Sequence, residues 1–171
     1  MEFNVAQLLR EPVGSRREYE VADACSVEAL TSKLRGNVEL LRTDAGVLAS
    51  ARLATTLETT CSRCLEPARL PVTLQIEEEY YPTIDVLSGA PLPPAEEPTP
   101  FMIDEHHILD LCEAVRQQIV LAEPMQPLCR PDCAGLCPAC GANLNDGPCV
   151  CPPLDVDTRW AGLRDLVALE K

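Results

Sequence analysis

Val47-Leu-Ala-Ser-Ala-Arg-Leu-Ala-Thr-Thr-Leu-Glu58, then Cys61-Ser-Arg-Cys64, then Leu70-Pro-Val-Thr-Leu-Gln-Ile-Glu77 is the stretch on which the fold turns. Val47, Ala49, Ala51, Leu53 and Leu57 alternate with Ser50, Arg52, Thr56 and Glu58. Period two gives a strand with one buried and one wet face. Leu70, Val72, Leu74 and Ile76 repeat the pattern against Thr73, Gln75 and Glu77. The Cys-x-x-Cys motif therefore sits at a strand–turn–strand corner. Toward the N-terminus, Asp44-Ala-Gly46 is a hairpin signal. Gly36 opens a strand over Val38–Arg42. Gly14-Ser-Arg-Arg17 is a turn, and Arg16–Val21 reads as a further strand. Residues 2–9 read as a short strand with Phe3, Val5 and Leu9 on one parity.

In the other direction, residues 82–100 carry six prolines, which suits an extended loop. Ile108, Leu111, Cys112, Val115, Ile119 and Ala122 then form one apolar helical stripe that Pro124 ends. A last helix is expected from about Thr158 to Ala168, with Asp157 as its N-cap and Trp160, Leu163 and Val167 inward. The expected organisation is a β-rich sheet over 1–81, an acidic Pro-rich loop over 82–103, a helix over 104–123, and a Cys-rich module with the C-terminal helix over 124–171. The expected fold class is α+β: an antiparallel, partly barrel-like sheet with one packed helix, a zinc-stapled Cys-rich module and a C-terminal helix, together one compact domain.

A chain of 171 residues has the size of one domain. Its longest apolar run is far short of the roughly 20 residues that span a bilayer. Met1-Glu-Phe-Asn4 opens acidic and polar, and Gln7 interrupts the apolar residues, so a secretory leader is not expected and the location read from the sequence is cytoplasmic. The formal net charge is −13. Residues 70–115 hold ten acids and no Lys or Arg. Such a block repels phosphate. It suits a basic partner or a solvated, solubilising loop.

Ten cysteines are the second unusual feature. Eight form close pairs: Cys61/Cys64, Cys129/Cys133, Cys137/Cys140 and Cys149/Cys151. In a reducing compartment such pairs point to metal before disulfides. Structural zinc takes four thiolates, and close pairs supply them two at a time. Cys137-Pro-Ala-Cys-Gly141 reads as a knuckle. The short return to Cys149 and Cys151 groups those two with Cys137 and Cys140. Cys129 and Cys133 then join Cys61 and Cys64, stapling the Cys-rich module to the sheet. An interleaved pairing stays open, and an all-cysteine donor set also suits an iron–sulfur cluster. Two structural Zn2+ sites are the leading expectation, each closed by four protein ligands with no open catalytic position. Cys112 reads as a core thiol, and Cys25 is given no role.

Other chemistry is thin. His106 and His107 beside Asp104 and Glu105 suit a polar approach to a helix start better than a metal or acid–base site. No Gly-x-Ser-x-Gly, phosphate loop, dinucleotide fingerprint or His-Glu-x-x-His motif occurs. Six aromatic residues leave no visible stacking platform for bases. Arg10, Arg16, Arg17, Lys33 and Arg35 read as scattered solvated charge before a basic patch. No catalytic residue is expected.

Four segments together resemble a known family: Cys61-Ser-Arg-Cys-Leu-Glu-Pro67 with its following strand and acidic run, Leu128-Cys-Arg-Pro-Asp-Cys-Ala-Gly-Leu-Cys-Pro-Ala-Cys-Gly-Ala-Asn-Leu-Asn145, Asp157-Thr-Arg-Trp-Ala-Gly-Leu163, and Leu8-Leu-Arg-Glu-Pro-Val-Gly-Ser-Arg-Arg-Glu-Tyr19. They look like the YceD family, the large ribosomal RNA subunit accumulation proteins of bacteria and plastids. Thr158 stands where the family usually has Pro, a favourable but dispensable first helical residue. The resemblance implies a non-enzymatic ribosome biogenesis factor that supports 23S rRNA accumulation and large-subunit assembly. It carries the family's cysteine pairs onto Cys61, Cys64, Cys129, Cys133, Cys137, Cys140, Cys149 and Cys151. Family members that keep only the Cys-x-x-Cys pair suit two separable sites. The mechanism expected from the charge is that the acidic 77–113 stretch shields a basic ribosomal protein or its docking site on the large-subunit precursor. The alternatives are a zinc-stabilised module binding 23S rRNA precursors directly and, third, an enzyme such as a nuclease or RNA-modifying activity. No membrane partner or small-molecule substrate is expected.

Overall fold

The two alternating stretches pair with each other along their whole length. In a computed structural model, which describes residues 1–27, 30–93, 101–152 and 159, they are β4 (Val47–Thr60) and β5 (Pro67–Pro82). They run antiparallel from Val47 opposite Tyr80 to Thr60 opposite Pro67. The face carrying Val47, Ala49, Ala51, Leu53 and Leu57 is buried, as are Leu74, Ile76 and Tyr80 across from it. Thr55 is the polar exception on that face, and its hydroxyl donates to the Lys33 carbonyl at 3.0 Å.

β2 (Arg16–Val27) and β3 (Leu30–Arg42) extend the sheet beyond β4. Two glycines make the close pairing feasible. A Cβ on Gly36 would lie 1.9 Å from the Arg52 carbonyl oxygen, and one on Gly46 would lie 2.0 Å from that of Tyr80. Only glycine lets backbone approach backbone there. On the far side of β5 come β6 (Met102–Ile103), β7 (Ile108–Asp110) and β1 (Glu2–Asn4), giving the order β1-β7-β6-β5-β4-β3-β2. The β5–β6 pairing is parallel, so the sheet is mixed.

The sheet curls into a half-barrel whose outermost strands meet through side chains. Phe3 of β1 lies against Tyr19 of β2 with ring centroids 5.0 Å apart. Helix α1 (Ala6–Arg10) buries Leu8 and Leu9, and helix α2 (Cys112–Ala122) buries Ala114, Val115 and Ile119 while packing on β5 and β2.

These features correct the expected α+β class: the molecule is mostly sheet, with two helices of five and eleven residues among the described residues. The physical reasons are local. The apolar stripe begins at Ile108, but Ile108–Asp110 is strand, paired to β1. The Asp104 carboxylate accepts the N–H groups of His106 and Ile108 and shapes a turn where a helix was expected. The Asp110 carboxylate accepts the Cys112 N–H, and helix starts only there. Residues 2–9 also split. Asn4 Oδ1 accepts the Ala6 N–H at 3.1 Å, ending the strand and opening α1. Leu8 and Leu9, adjacent and both buried, fit a helix and not an alternating strand.

The module that follows α2 has no regular helix or strand over its described residues beyond one bridge between Leu136 and Asn143. Apart from Arg159, the expected helix over Thr158–Ala168 lies outside the described residues, as do Glu96 and Glu97. Among the described residues no helix is long and apolar enough to cross a membrane.

Candidate metal centres

Two turns of the same construction organise the cysteines. In the first, between β4 and β5, the Leu65 N–H donates to the Cys61 carbonyl at 3.0 Å and the Cys61 N–H donates to the Glu66 carbonyl at 2.9 Å. In the second, Gly141 N–H donates to the Cys137 carbonyl at 2.9 Å and Cys137 N–H to the Ala142 carbonyl at 2.8 Å. Both place the residue after the second cysteine in the left-handed region, Leu65 at φ 61° and Gly141 at φ 73°. That turn aims backbone N–H groups at sulfur, as Ala139 N–H does at Cys137 Sγ over 3.4 Å.

Each turn gathers a second cysteine pair. Cys61, Cys64, Cys129 and Cys133 form one quartet, and Cys137, Cys140, Cys149 and Cys151 the other; within each, all sulfurs lie within 4.8 Å of one another. A tetrahedral zinc with Zn–S bonds of about 2.3 Å sets its sulfurs about 3.8 Å apart. Cys61–Cys133 is 3.8 Å, Cys64–Cys129 is 3.6 Å and Cys137–Cys149 is 3.3 Å. Each quartet fits a four-thiolate metal ion, and its four side chains would hold it.

The electrostatics also ask for a cation. The N–H of Cys64 holds the Cys61 thiol down at about 6, helped by those of Cys129 and Arg63. The N–H groups of Cys140 and Ala139 bring Cys137 to about 6. The Asn145 amide lowers Cys133. Their neighbours go the other way. Burial, reinforced by the adjacent sulfurs, pushes Cys129 up to about 12. The Cys140 sulfur, then burial, pushes Cys151 up to about 12. Like charges crowded together cannot all ionise, and a dication held by these sulfurs would relieve that conflict by favouring the thiolate form of each.

The quartets differ in burial. In the first, Cys61, Cys64 and Cys133 are buried, and they cluster with Ala68 of β5 under Leu128 and Leu136. The Arg63 guanidinium donates to the Cys133 carbonyl at 3.0 Å, and Ser62 N–H donates to the Pro127 carbonyl at 2.8 Å. This quartet joins the sheet to the module. In the second, only Cys137 is buried. Its four ligands lie within one short loop.

The remaining two cysteines depart from the expectation. Cys112 is not a free core thiol: it forms a disulfide with Cys25 of β2, with Cα atoms 5.6 Å apart. That spacing suits a disulfide. The bond ties an edge strand to the start of α2 across 87 residues of sequence. His106 and His107 lie in the β6–β7 turn, His106 Nδ1 3.9 Å from Asp104 Oδ2, and among the described residues they join no metal-ligating group.

Asn145 and Leu65 also shape the first quartet, and no sequence pattern marks either of them. Asn145 Nδ2 donates to Cys133 Sγ at 3.4 Å. No local pattern shows that the Asn145 amide reaches the other quartet. Leu65 carries no signal for a left-handed residue, which glycine or asparagine would have given.

The sequence profile described as "Large ribosomal RNA subunit accumulation protein YceD" matches residues 49–167. The chain belongs to the YceD family. The matched region contains all eight quartet cysteines. An uncharacterised protein of Mycobacterium tuberculosis (strain H37Rv) is 33% identical over 126 residues, covering 73% of this chain and 58% of its own length. One from Mycobacterium leprae is 29% identical over 109 residues, covering 63% and 47%. The maize chloroplastic large ribosomal RNA subunit accumulation protein YCED homolog 1 is 41% identical over 49 residues, covering 28% and 17%. This YceD chain thus spans a little over half the length of the mycobacterial relative, 58%. No solved structure matches it. The family name implies a role in the accumulation of large-subunit ribosomal RNA.

Proposed function

We propose that this YceD-family protein is a non-enzymatic ribosome biogenesis factor, supporting 23S rRNA accumulation and large-subunit assembly by binding a basic ribosomal protein or assembly intermediate. Each cysteine quartet holds a structural Zn2+ that shapes the module, and four protein ligands leave no position for catalysis.

The observation that carries this reading is the distribution of acids. Most described acids of the 77–113 stretch serve local geometry. Asp85 accepts the N–H groups of Leu87 and Ser88. Asp104 and Asp110 hold turns. Glu113 pairs with Arg116 at 2.6 Å, and Glu79 accepts from Thr43 and Tyr81. The acidic surface draws only Glu77 from that stretch and lies on the outward side of the sheet. Glu18, Glu39, Ser50 and Glu77 stand in register across β2, β3, β4 and β5. Glu20, Asn37, Arg52 and Gln75 form the next row. They line an open groove of about 860 Å³. Of the bases nearby, Arg16 is engaged by Glu39 at 3.0 Å. A cationic segment is attracted to such a groove, and phosphate is repelled.

The RNA-binding reading has one observation in its favour: exposed Lys33 and Arg35 lie farther along the same sheet, beyond Arg52 of the groove and toward the Cys61 turn. The test is purification of the tagged protein from growing cells with and without RNase. An RNase-resistant basic large-subunit protein, lost on joint Glu18→Lys, Glu20→Lys, Glu39→Lys and Glu77→Lys substitution, is the expected result. Recovery of precursor rRNA alone, abolished by RNase, would transfer the function to the Lys33 end. Partner binding that survives all four reversals at low salt would remove the groove from the mechanism.

A further inference from the structure

We propose that Asn145 couples the two cysteine quartets, so that metal in the Cys137 quartet strengthens metal binding in the Cys61 quartet. The inference rests on the reading that both quartets hold Zn2+.

Asn145 belongs to the second quartet by sequence, because it lies in the loop between Cys140 and Cys149. By contact it belongs to the first. Its Nδ2 donates to Cys133 Sγ at 3.4 Å and to Asn143 Oδ1 at 2.8 Å. Its Oδ1 accepts the Ala134 N–H at 2.9 Å and the Arg130 guanidinium at 2.6 Å. Both donors to Oδ1 flank Cys133. The neighbouring Leu144 N–H donates to the Gly135 carbonyl at 2.9 Å. One amide therefore fixes a ligand sulfur, the backbone just after it and the Arg130 side chain before it.

The loop that carries this amide is anchored at both ends by the other quartet. Metal there pulls Cys149 and Cys151 against Cys137 and Cys140, and so fixes residues 141–148 between them. An amide already held in place binds the Cys133 thiolate without a further ordering cost. An N–H donated to a thiolate is a charge-assisted bond, stronger than one to a neutral thiol. Groups of this kind behind a metal ligand typically account for about 10–100-fold in metal affinity. Linkage makes the effect reciprocal: the Cys61 quartet strengthens the Cys137 quartet by the same factor.

Native mass spectrometry of the full chain reads the coupling directly. One equivalent of Zn2+ is added per two sites' worth of apo-protein, and the empty, singly loaded and doubly loaded populations are counted. Two equal independent sites leave about half the chains singly loaded; a tenfold coupling lowers that to about a quarter. The expected result is a depleted singly loaded population in the native chain. It should rise to half or more in Asn145→Ala. Asn145→Asp keeps the oxygen for Arg130 and Ala134 but loses the donor to Cys133, and it should behave like Asn145→Ala. A substitution that merely loosened the module would weaken both sites and leave them coupled. An unchanged singly loaded fraction in both variants would overturn the coupling while leaving the metal reading intact. Failure of the native chain to take up Zn2+ at all would overturn both.

Discussion

The Cys61 and Cys137 turns share one backbone design but not one job. The two have matching hydrogen bonds and a left-handed residue at the same place, yet Leu65 fills that place in one and Gly141 in the other. The first turn sits on two long strands and recruits Cys129 and Cys133 from more than sixty residues away. The second recruits Cys149 and Cys151 from its own loop. The comparison teaches that a metal-binding turn is defined by its backbone, while its structural reach is set by where the other two ligands come from. A rigid corner tolerates a leucine at a position costing about 1–2 kcal/mol for a residue with a Cβ. A short self-closing loop carries the glycine.

Metal removal should give the largest difference between the two. Structural zinc contributes about 10–16 kcal/mol of apparent binding energy to small metal-dependent units. A strong chelator should therefore melt residues 128–151 while the half-barrel, with its own apolar core, persists. Circular dichroism and proteolysis check this, and simultaneous collapse of the sheet would break the distinction.

The disulfide sharpens it from the other side. Cys25–Cys112 ties β2 to α2 and touches neither quartet. Cys25→Ser should lower sheet stability by about 2–4 kcal/mol. It should leave two zinc ions per chain, measured by denaturant titration beside metal analysis. Loss of zinc in that variant would mean that the sheet and the module are not separable in the way described.

Exchanging the left-handed residues probes the turns themselves. Gly141→Leu should cost about 1–2 kcal/mol because a Cβ enters the left-handed region. Leu65→Gly should change stability by less than about 1 kcal/mol, since relief of backbone strain is offset by the greater freedom of glycine when unfolded. Equal and opposite shifts of thermal midpoint would show that the two corners are equally strained.

Glu113 gives the smallest effect and a control remote from both centres. Hydrogen bonds from Arg116 and Gln117 hold its carboxyl down at about 2 from an ordinary 4.5. A lowered folded value means stability that is present above about pH 4.5 and lost as pH falls toward 2. The pair is substantially exposed, with side chains 36% and 40% accessible, so screening reduces its worth. Glu113→Gln should cost a few tenths of a kcal/mol at neutral pH and flatten the acid limb of the stability curve, with no change in zinc content.

Much of this was legible in the chain. Alternation over Val47–Leu57 and Leu70–Ile76, the Asp44–Gly46 hairpin and the cysteine spacings depend on neighbours in sequence, and the structure brings together the same two quartets that spacing suggested. What escaped depends on partners far away. Ile108 and Leu109 become strand because β1 offers an edge a hundred residues distant. Cys25 and Cys112 meet across 87 residues, with no local motif to mark them. Asn145 is an ordinary turn asparagine until the fold sets Cys133 beside it. The acidic run from 70 to 115 was visible, but Asp85, Asp104 and Asp110 serve turns and the helix start, and only Glu77 of the run joins the acidic groove, which is assembled from residues spread over four strands.

Hydrogen exchange of the zinc-loaded protein, read by mass spectrometry and compared with Cys64→Ser and Cys137→Ser, separates a quartet that staples from one that closes on itself. Cys64→Ser should expose the amides of Cys61–Leu65 together with all of 128–151, because the module leaves the sheet. Cys137→Ser should expose 137–151 and leave the β4–β5 corner protected. Identical patterns in the two variants, whether global or local, would contradict the division of labour between a quartet that staples and a quartet that closes on itself.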